Sequence, residues 1–317
     1  MRKKEKVLVL IGPTAVGKTE LSIDIAKEFD CEIISGDSMQ IYRGMDIGTA
    51  KITKEEMAGI PHHLLDIKEP YEGFSVAEFQ ELVREKITEI SKRGRLPFIV
   101  GGTGLYIQAV LYDYEFPDQS YDPDLREKLM KEVEEKGIAP FYKKLQEIDP
   151  ESASKIHPNN IRRVIRALEI FFTTGKTMSA IKASQTGEPV YDHLILGLTM
   201  EREKLYKRIN QRVDEMIEKG LLAEARKLYD MNLGDVPATQ AIGYKELFAY
   251  FSGDLSFDDA VELLKRNTRH FAKRQLTWFK NKLPVEWVDI TEGFKREEIF
   301  QKIDDFLAGK KEFNTNT

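Results

Sequence analysis

Apolar and polar positions follow two different periods along the first hundred residues, and each switch of period marks an element. Val7 to Ile11 is an unbroken aliphatic run stopped by Gly12 and Pro13, the pattern of a short strand buried on both faces. From Glu20 to Phe29 the apolar residues Leu21, Ile25 and Phe29 recur at every fourth position, which predicts a helix. Glu32 to Ser35 is a second short strand. Ser75 and Glu78 form a capping-box pattern, after which Phe79, Leu82, Val83, Ile87 and Ile90 share one helical face up to Gly94. Phe98 to Val100 is a third strand, again closed by glycines. This β-α-β-α-β order predicts an α/β protein whose parallel sheet is covered by helices on both faces.

The pattern changes near Pro117. Between Asp122 and about Ala183 the periodicity is helical and no strand stands out. One helix is expected after Asp122, with Leu125, Leu129 and Val133 inward and Gly137 closing it. Another is expected from Asn160 to Gly175, with Ile161, Val164, Ile165, Leu168 and Phe172 inward. Strand patterning returns at Leu194 to Leu198 and Val285 to Val288. Helices over about 202–218 and 256–282 flank these late strands, the second opened by Ser256 and Asp259. The chain therefore reads as an α/β core, residues 1–117 and 194–317, interrupted by an all-helical insertion at 118–193.

The first strand-to-helix junction carries Gly12, Pro13, Thr14, Ala15, Val16, Gly17, Lys18 and Thr19, which fit G-x-x-x-x-G-K-[ST] at every fixed position. In that context the sheet is expected to be P-loop NTPase-like. Successive backbone N–H groups and the helix N-terminus form a concave anion site, Lys18 adds a point charge, and the Thr19 hydroxyl suits Mg2+. Such a loop grips a diphosphate or triphosphate whatever the phosphates are attached to, and ATP is the default ligand. Asp37, after the second strand, belongs at the same end of the sheet. Its carboxylate suits a general base, a water-mediated Mg2+ ligand or a cap for the next turn. Gln40 offers one donor and one acceptor side, the pattern of adenine's edge. Thr103, within Gly101 to Gly104, either presents its hydroxyl to that space or caps a helix.

Composition narrows the class. At 317 residues, 41% apolar and 32% charged, the chain is ordinary globular material. Its one cysteine, Cys31, excludes an internal disulfide and fits a reducing cytosol. No apolar run near the start is long enough to span a membrane, and secretion is not expected. The five histidines are scattered apart from His62 and His63 and do not make a metal site. A net charge of −5 argues against a protein that coats nucleic acid indiscriminately. Yet four Lys or Arg and no acid lie from Lys155 to Arg166, and seven and none from Lys265 to Lys282. Phe271 to Lys280 also interleaves cations with aromatics, which suits phosphate contact plus stacking. Two basic stretches on an acidic body fit local binding of a polyanion, or two solvated helix faces.

Together, Gly12–Thr19, Asp37–Arg43 with Asp46–Lys51, Gly101–Tyr106 and Lys273–Trp278 resemble the bacterial tRNA dimethylallyltransferase family over about residues 6–290. The resemblance implies transfer of a dimethylallyl group from dimethylallyl diphosphate to N6 of the adenosine just 3′ of the anticodon, in tRNAs reading codons that begin with U. It gives Gly12 to Thr19 to the donor's diphosphate, helped by Mg2+ at Thr19 and by Arg208 or Arg212. It makes Asp37 the acceptor of the amine proton, places Thr103 beside the reacting atoms and Lys18 on the leaving group, and has Ser38, Met39 and Gln40 position the base. It gives tRNA contact to Arg126, Arg162, Arg163 and Arg166 in the insertion. In the core it adds Gln240, Gly243, Tyr244, Lys245, Lys273, Arg274, Gln275, Trp278 and Lys280. A cytoplasmic monomer with no protein partner is expected. A P-loop kinase of a nucleoside or small metabolite, and a non-catalytic RNA-binding NTPase, are the competing readings of the same loop.

Overall fold

The computed structural model describes residues 4–114, 116 and 122–310. β1 (Lys6–Ile11) leads through the phosphate-loop sequence into α1 (Lys18–Glu28), followed by β2 (Cys31–Gly36), β3 (His62–His63), α2 (Val76–Lys92), β4 (Leu96–Gly101) and α3 (Gly104–Leu111). Five helices come next: α4 (Pro123–Lys136), α5 (Ala139–Ile148), α6 (Pro150–Lys155), α7 (Ile161–Thr174) and α8 (Met178–Ser184). The chain then runs through β5 (Asp192–Thr199), α9 (Arg202–Glu218), α10 (Leu221–Asp230), α11 (Tyr244–Phe251), α12 (Phe257–Lys282), β6 (Glu286–Asp289) and α13 (Arg296–Leu307).

All six strands pair in parallel, in the order β3-β2-β4-β1-β5-β6. β1 is central, and Val7 through Ile11 have no exposed surface, which is why its sequence shows no polar alternation. Ser75 caps α2 as its sequence predicts, accepting a hydrogen bond from the Glu78 amide at 3.1 Å. β3 was not predicted. Two residues carry no period, and His62 and His63 join the sheet only by pairing with Ile33 and Ile34.

The chain divides into two compact units. One runs to Leu111 and resumes at Val190; the other is Tyr112–Pro189. The expected boundary at 117/118 lies outside the described residues. On the return side β5 begins at Asp192, so Asp192 and His193 belong to the strand rather than to the insertion. Among its described residues the smaller unit is built of helices, apart from one β-bridge between Tyr112 and Pro189 at its two ends, and it packs Leu129, Val133, Phe141, Leu145, Val164, Ile165 and Leu168 into its own core. Asp149, nearly buried, accepts the amides of Ser152 and Ser179 at 3.0 Å each and so ties the first turns of α6 and α8 together. Phe172 corrects the predicted inward stripe of α7. It is 39% exposed, and the Lys144 ammonium sits 4.7 Å from its ring centroid.

β2 and β4 end side by side on Gly36 and Gly101, which face each other in register. A Cβ on Gly101 would fall 2.2 Å from the Gly36 carbonyl oxygen, a contact no backbone shift of ordinary size relieves. Gly101→Ala should cost about 1–3 kcal/mol in urea unfolding by overpacking. Gly73→Ala, where the added methyl meets nothing within 4 Å, is the control and should leave the midpoint unchanged.

Candidate active site

Because β1, β4 and β2 are neighbours, the loops leaving their carboxyl ends share one end of the sheet, where open parallel sheets hold ligands. Gly12 to Gly17 forms the first loop. Gly17 ends it with φ +110°, a backbone conformation that favours glycine, and stands at the N-cap of α1 without a side-chain cap. The first-turn amides of α1 are thus left for an anion. A Cβ on Gly17 would also fall 2.8 Å from the Phe294 ring, so that ring closes one side of the loop.

Lys18 Nζ donates to the carbonyls of Gly12 and Pro13 at 3.0 and 2.9 Å. Lost hydration, and then the nearby Arg212 guanidinium, pull its pKa down to about 8, while the Asp37 carboxylate pulls the other way. Burial also lowers the pKa of Arg212 from its usual value, again opposed by Asp37. Lys18, Arg212 and Asp37 therefore form one electrostatic group. Arg208 lies against the same loop, its Nη1 donating to the Val16 carbonyl at 3.3 Å.

Asp37 begins the second loop. Its Oδ1 accepts the Met39 amide at 2.8 Å, so the turn-capping role raised by the sequence is realised by one oxygen. Among the described residues no hydrogen-bond donor reaches Oδ2. Thr103, in the third loop, accepts the Ser38 amide at 3.2 Å, and its own amide donates to the Gly36 carbonyl at 3.3 Å. The second and third loops are thereby locked to each other. The first and third are bridged by Gln275, whose Oε1 accepts the Thr14 amide at 2.9 Å and whose Nε2 donates to the Gly102 carbonyl at 3.0 Å.

Several residues that the resemblance gives to tRNA have their side chains buried or turned to protein partners. Gln275 is 7% exposed and spends its amide on the two loops, because it points inward on α12 with Ala272 and Phe279. Tyr244 has no exposed surface; it belongs to the core beside Leu247. Gly243 is buried, and its amide donates to Glu246 at 2.8 Å. Gln40 faces into the chain: Oε1 accepts from Ser35, and Nε2 donates to the carbonyls of Thr49 and Ala50. In the helical unit Arg126 and Arg166 both turn to Glu169, at 3.9 and 3.0 Å, and that carboxylate is fully buried. Arg162, Arg163, Gln240, Lys245, Lys273, Arg274 and Lys280 are exposed, and Trp278 is half-buried with its ring edge-on to Phe279. Sequence reasoning missed Glu224, whose carboxylate accepts the amides of Asp46, Ile47 and Gly48. No local pattern marks it.

The described residues contain no group of three or more His, Cys, Asp or Glu able to hold a metal ion, and no helix among them is long and apolar enough to cross a membrane. The Thr19 hydroxyl, in the first turn of α1, is an oxygen donor of the kind Mg2+ takes. One hydroxyl suits a cation that keeps most of its coordination to phosphate and water.

A parallel sheet with this loop at the end of its central strand defines a phosphate-loop α/β protein. The chain belongs to the IPP transferase family, whose model matches residues 40–282. It is 58% identical over 315 residues to the tRNA dimethylallyltransferase of Bacillus cytotoxicus, covering 99% of this chain and 98% of that one. It is also similar to the crystal structure of the full-length tRNA isopentenylpyrophosphate transferase from Bacillus halodurans, with a TM-score of 0.72, 53% identity and 97% of each chain covered. A eukaryotic dimethylallyltransferase acting on tRNA superimposes with a TM-score of 0.84 at 33% identity, over 96% of this chain and 80% of that one.

The depressed pKa of Lys18 has two measurable consequences. Pyrophosphate binding through the Lys18 ammonium would weaken as pH rises through about 8, with proton uptake on binding above that value, read by calorimetry in buffers of different ionisation enthalpy. The unfolded chain keeps this proton up to the ordinary lysine value of 10.5, so between about 8 and 10.5 unfolding takes up a proton and the free protein gains stability with rising pH. At pH 7 the charge is a cost to the fold. Lys18→Met should therefore lose pyrophosphate binding while raising Tm by about 2 °C; a lowered Tm would contradict this account.

Proposed function

We propose that the chain transfers a dimethylallyl group from dimethylallyl diphosphate to N6 of the adenosine 3′-adjacent to the anticodon, in tRNAs reading codons that begin with U. The products are N6-isopentenyladenosine and diphosphate. The observation that carries this reading is a cationic phosphate cradle sharing its field with one carboxylate, Asp37, that keeps an oxygen without a donor among the described residues. Membership of a family of IPP transferases supports a prenyl group as the cargo. Relatives named tRNA dimethylallyltransferase support tRNA as the acceptor.

Adenine's exocyclic amine is a weak nucleophile because its lone pair is delocalised into the ring. Asp37 Oδ2 accepts a hydrogen bond from that amine and takes its proton as the N6–C1 bond forms. The C1–O bond of the donor breaks, and its electron pair leaves with diphosphate. Charge growing on that leaving group is met by Lys18, by the amides of Ala15 to Thr19, and by Arg212 with Arg208 beside it. Thr19 would hold Mg2+ through its hydroxyl, and the ion would supply further neutralisation of the same charge. Ser38 and Met39, fixed by Thr103 and Asp37, form the floor on which the base rests. Extruding the base costs a few kcal/mol, which phosphate contacts must offset. The exposed Arg162, Arg163, Lys273, Arg274 and Lys280 are suited to that, and Gln240 and Lys245 lie on the surface as well. The chain acts as a monomer in the cytoplasm.

With Mg2+, labelled dimethylallyl diphosphate and unmodified tRNA, label should appear on a single adenosine. ATP consumption without tRNA would favour a kinase instead. Asp37→Asn should lower kcat by about 10²–10⁴-fold and leave donor affinity nearly unchanged. Raising ionic strength should weaken tRNA binding steeply and donor binding little. Lys273→Ala with Arg274→Ala should flatten that tRNA slope by about 2; an unchanged slope would assign both side chains to the fold alone.

A further inference from the structure

We infer that Glu224, far from the phosphate cradle in sequence, is a positioning residue for the base-accepting loop, and that Tyr244 is its partner in that role. The inference rests on the prenyl-transfer reading of Asp37. Glu224 stands in the first turn of α10. Its Oε2 accepts the amides of Asp46 and Ile47, and its Oε1 accepts the Gly48 amide, each at 2.9 Å. The Tyr244 hydroxyl donates to the same Oε1 at 2.7 Å. Three successive N–H groups converging on one carboxylate make an anion nest, here filled by the protein itself. The Tyr244 ring lies so close that a Cβ on Gly48 would fall 2.7 Å from it, which pins the turn from the side as well. Burial and the Glu224 charge both push the Tyr244 hydroxyl far above the usual tyrosine range, so it remains a donor at any working pH.

The residues just beyond this nest carry the constraint to the reacting loop. Thr49 and Ala50 turn their carbonyls to Gln40 Nε2 at 3.2 and 3.4 Å, and Gln40 Oε1 accepts from Ser35 at the end of β2 at 3.1 Å. Lys51, its side chain 5% exposed, closes the turn by donating to the Tyr42 carbonyl at 2.7 Å and pairing with Asp46 and Asp66. Asp37 to Gln40 is thus gripped on one side by Thr103 and on the other by Gln40's amide, and the second grip is set by Glu224. This accounts for Tyr244 being inside the protein. Its side chain supports the loop that meets the base, while Gln240 and Lys245 beside it stay on the surface.

Glu224→Gln keeps the shape but replaces one acceptor oxygen by an NH2 group facing backbone donors, which opens the nest. With the wild-type enzyme transferring label, Glu224→Gln should lower kcat by about 10- to 100-fold through misplacement of the base-side loop. Donor affinity should stay within about twofold, because the cradle is untouched. Hydrogen exchange followed by mass spectrometry should quicken in the peptides covering 45–51 and also in those covering 37–41. Tyr244→Phe preserves the ring packing and removes one donor, and should give the same pattern at smaller amplitude; it decides the matter if Glu224→Gln does not fold. Faster exchange confined to 45–51, or an equal loss of donor affinity and kcat, overturns the inference. A wild-type enzyme that transfers no label overturns the prenyl-transfer reading instead, and the exchange pattern still judges the grip on residues 37–41.

Discussion

An ammonium and a guanidinium held close together and partly out of water repel each other and forfeit hydration, and both costs fall on the fold before any ligand arrives. Lys18 and Arg212 carry that burden here, visible in their lowered pKa values. Asp37 is the counter-charge that both share. Its place is therefore fixed twice over: electrostatically by the cations it balances, and chemically by the proton it is proposed to receive. A phosphate loop on its own would need no carboxylate at that point. The pairing turns an anion cradle into a site where a leaving group and a proton can be handled a short distance apart.

Such a site works only if three separate loops keep their spacing, since none of them is regular structure. Side-chain amides and hydroxyls supply the spacing. Gln275 joins the first loop to the third, Thr103 joins the third to the second, and Gln40 joins the second to the turn that Glu224 holds. Each brace uses backbone groups that the loops would otherwise leave unpaired, so rigidity and hydrogen-bond satisfaction are obtained by the same contacts.

Much of the fold was legible because it follows from local chemistry. The aliphatic run Val7 to Ile11 fits only a strand covered on both faces, Asp122 and Asn160 cap the helices their positions predict, and the phosphate loop announces itself by spacing. What escaped depends on partners distant in the chain. β3 exists through pairing with β2, and Glu224 acts on residues nearly two hundred positions earlier. Gln275 and Tyr244 show the other failure. The family resemblance gives both to tRNA as members of contacting segments, whereas helical phase turns these two inward. Composition identifies a segment; only the phase of the helix says which of its side chains meets solvent.

The basic stretches show the same point in charge. A window of sequence counts cations and cannot see acids brought from outside it. Lys155 pairs with Glu151 at 2.6 Å, Lys265 with Asp214 at 2.8 Å, and Arg166 with Glu169 at 3.0 Å. These pairs are not equally available to a polyanion. Exposed pairs are worth under about 1 kcal/mol, while breaking a buried pair by removing one member costs about 3–5 kcal/mol. Lys155, paired on the surface, can therefore exchange its carboxylate for a phosphate almost without penalty. Arg166 cannot do so as cheaply, because the fully buried Glu169 side chain would lose its nearer partner and keep only Arg126 at 3.9 Å. The cations are thus graded by burial of their partners, and the exposed Arg163, Lys273, Arg274 and Lys280 stand at the available end of that scale.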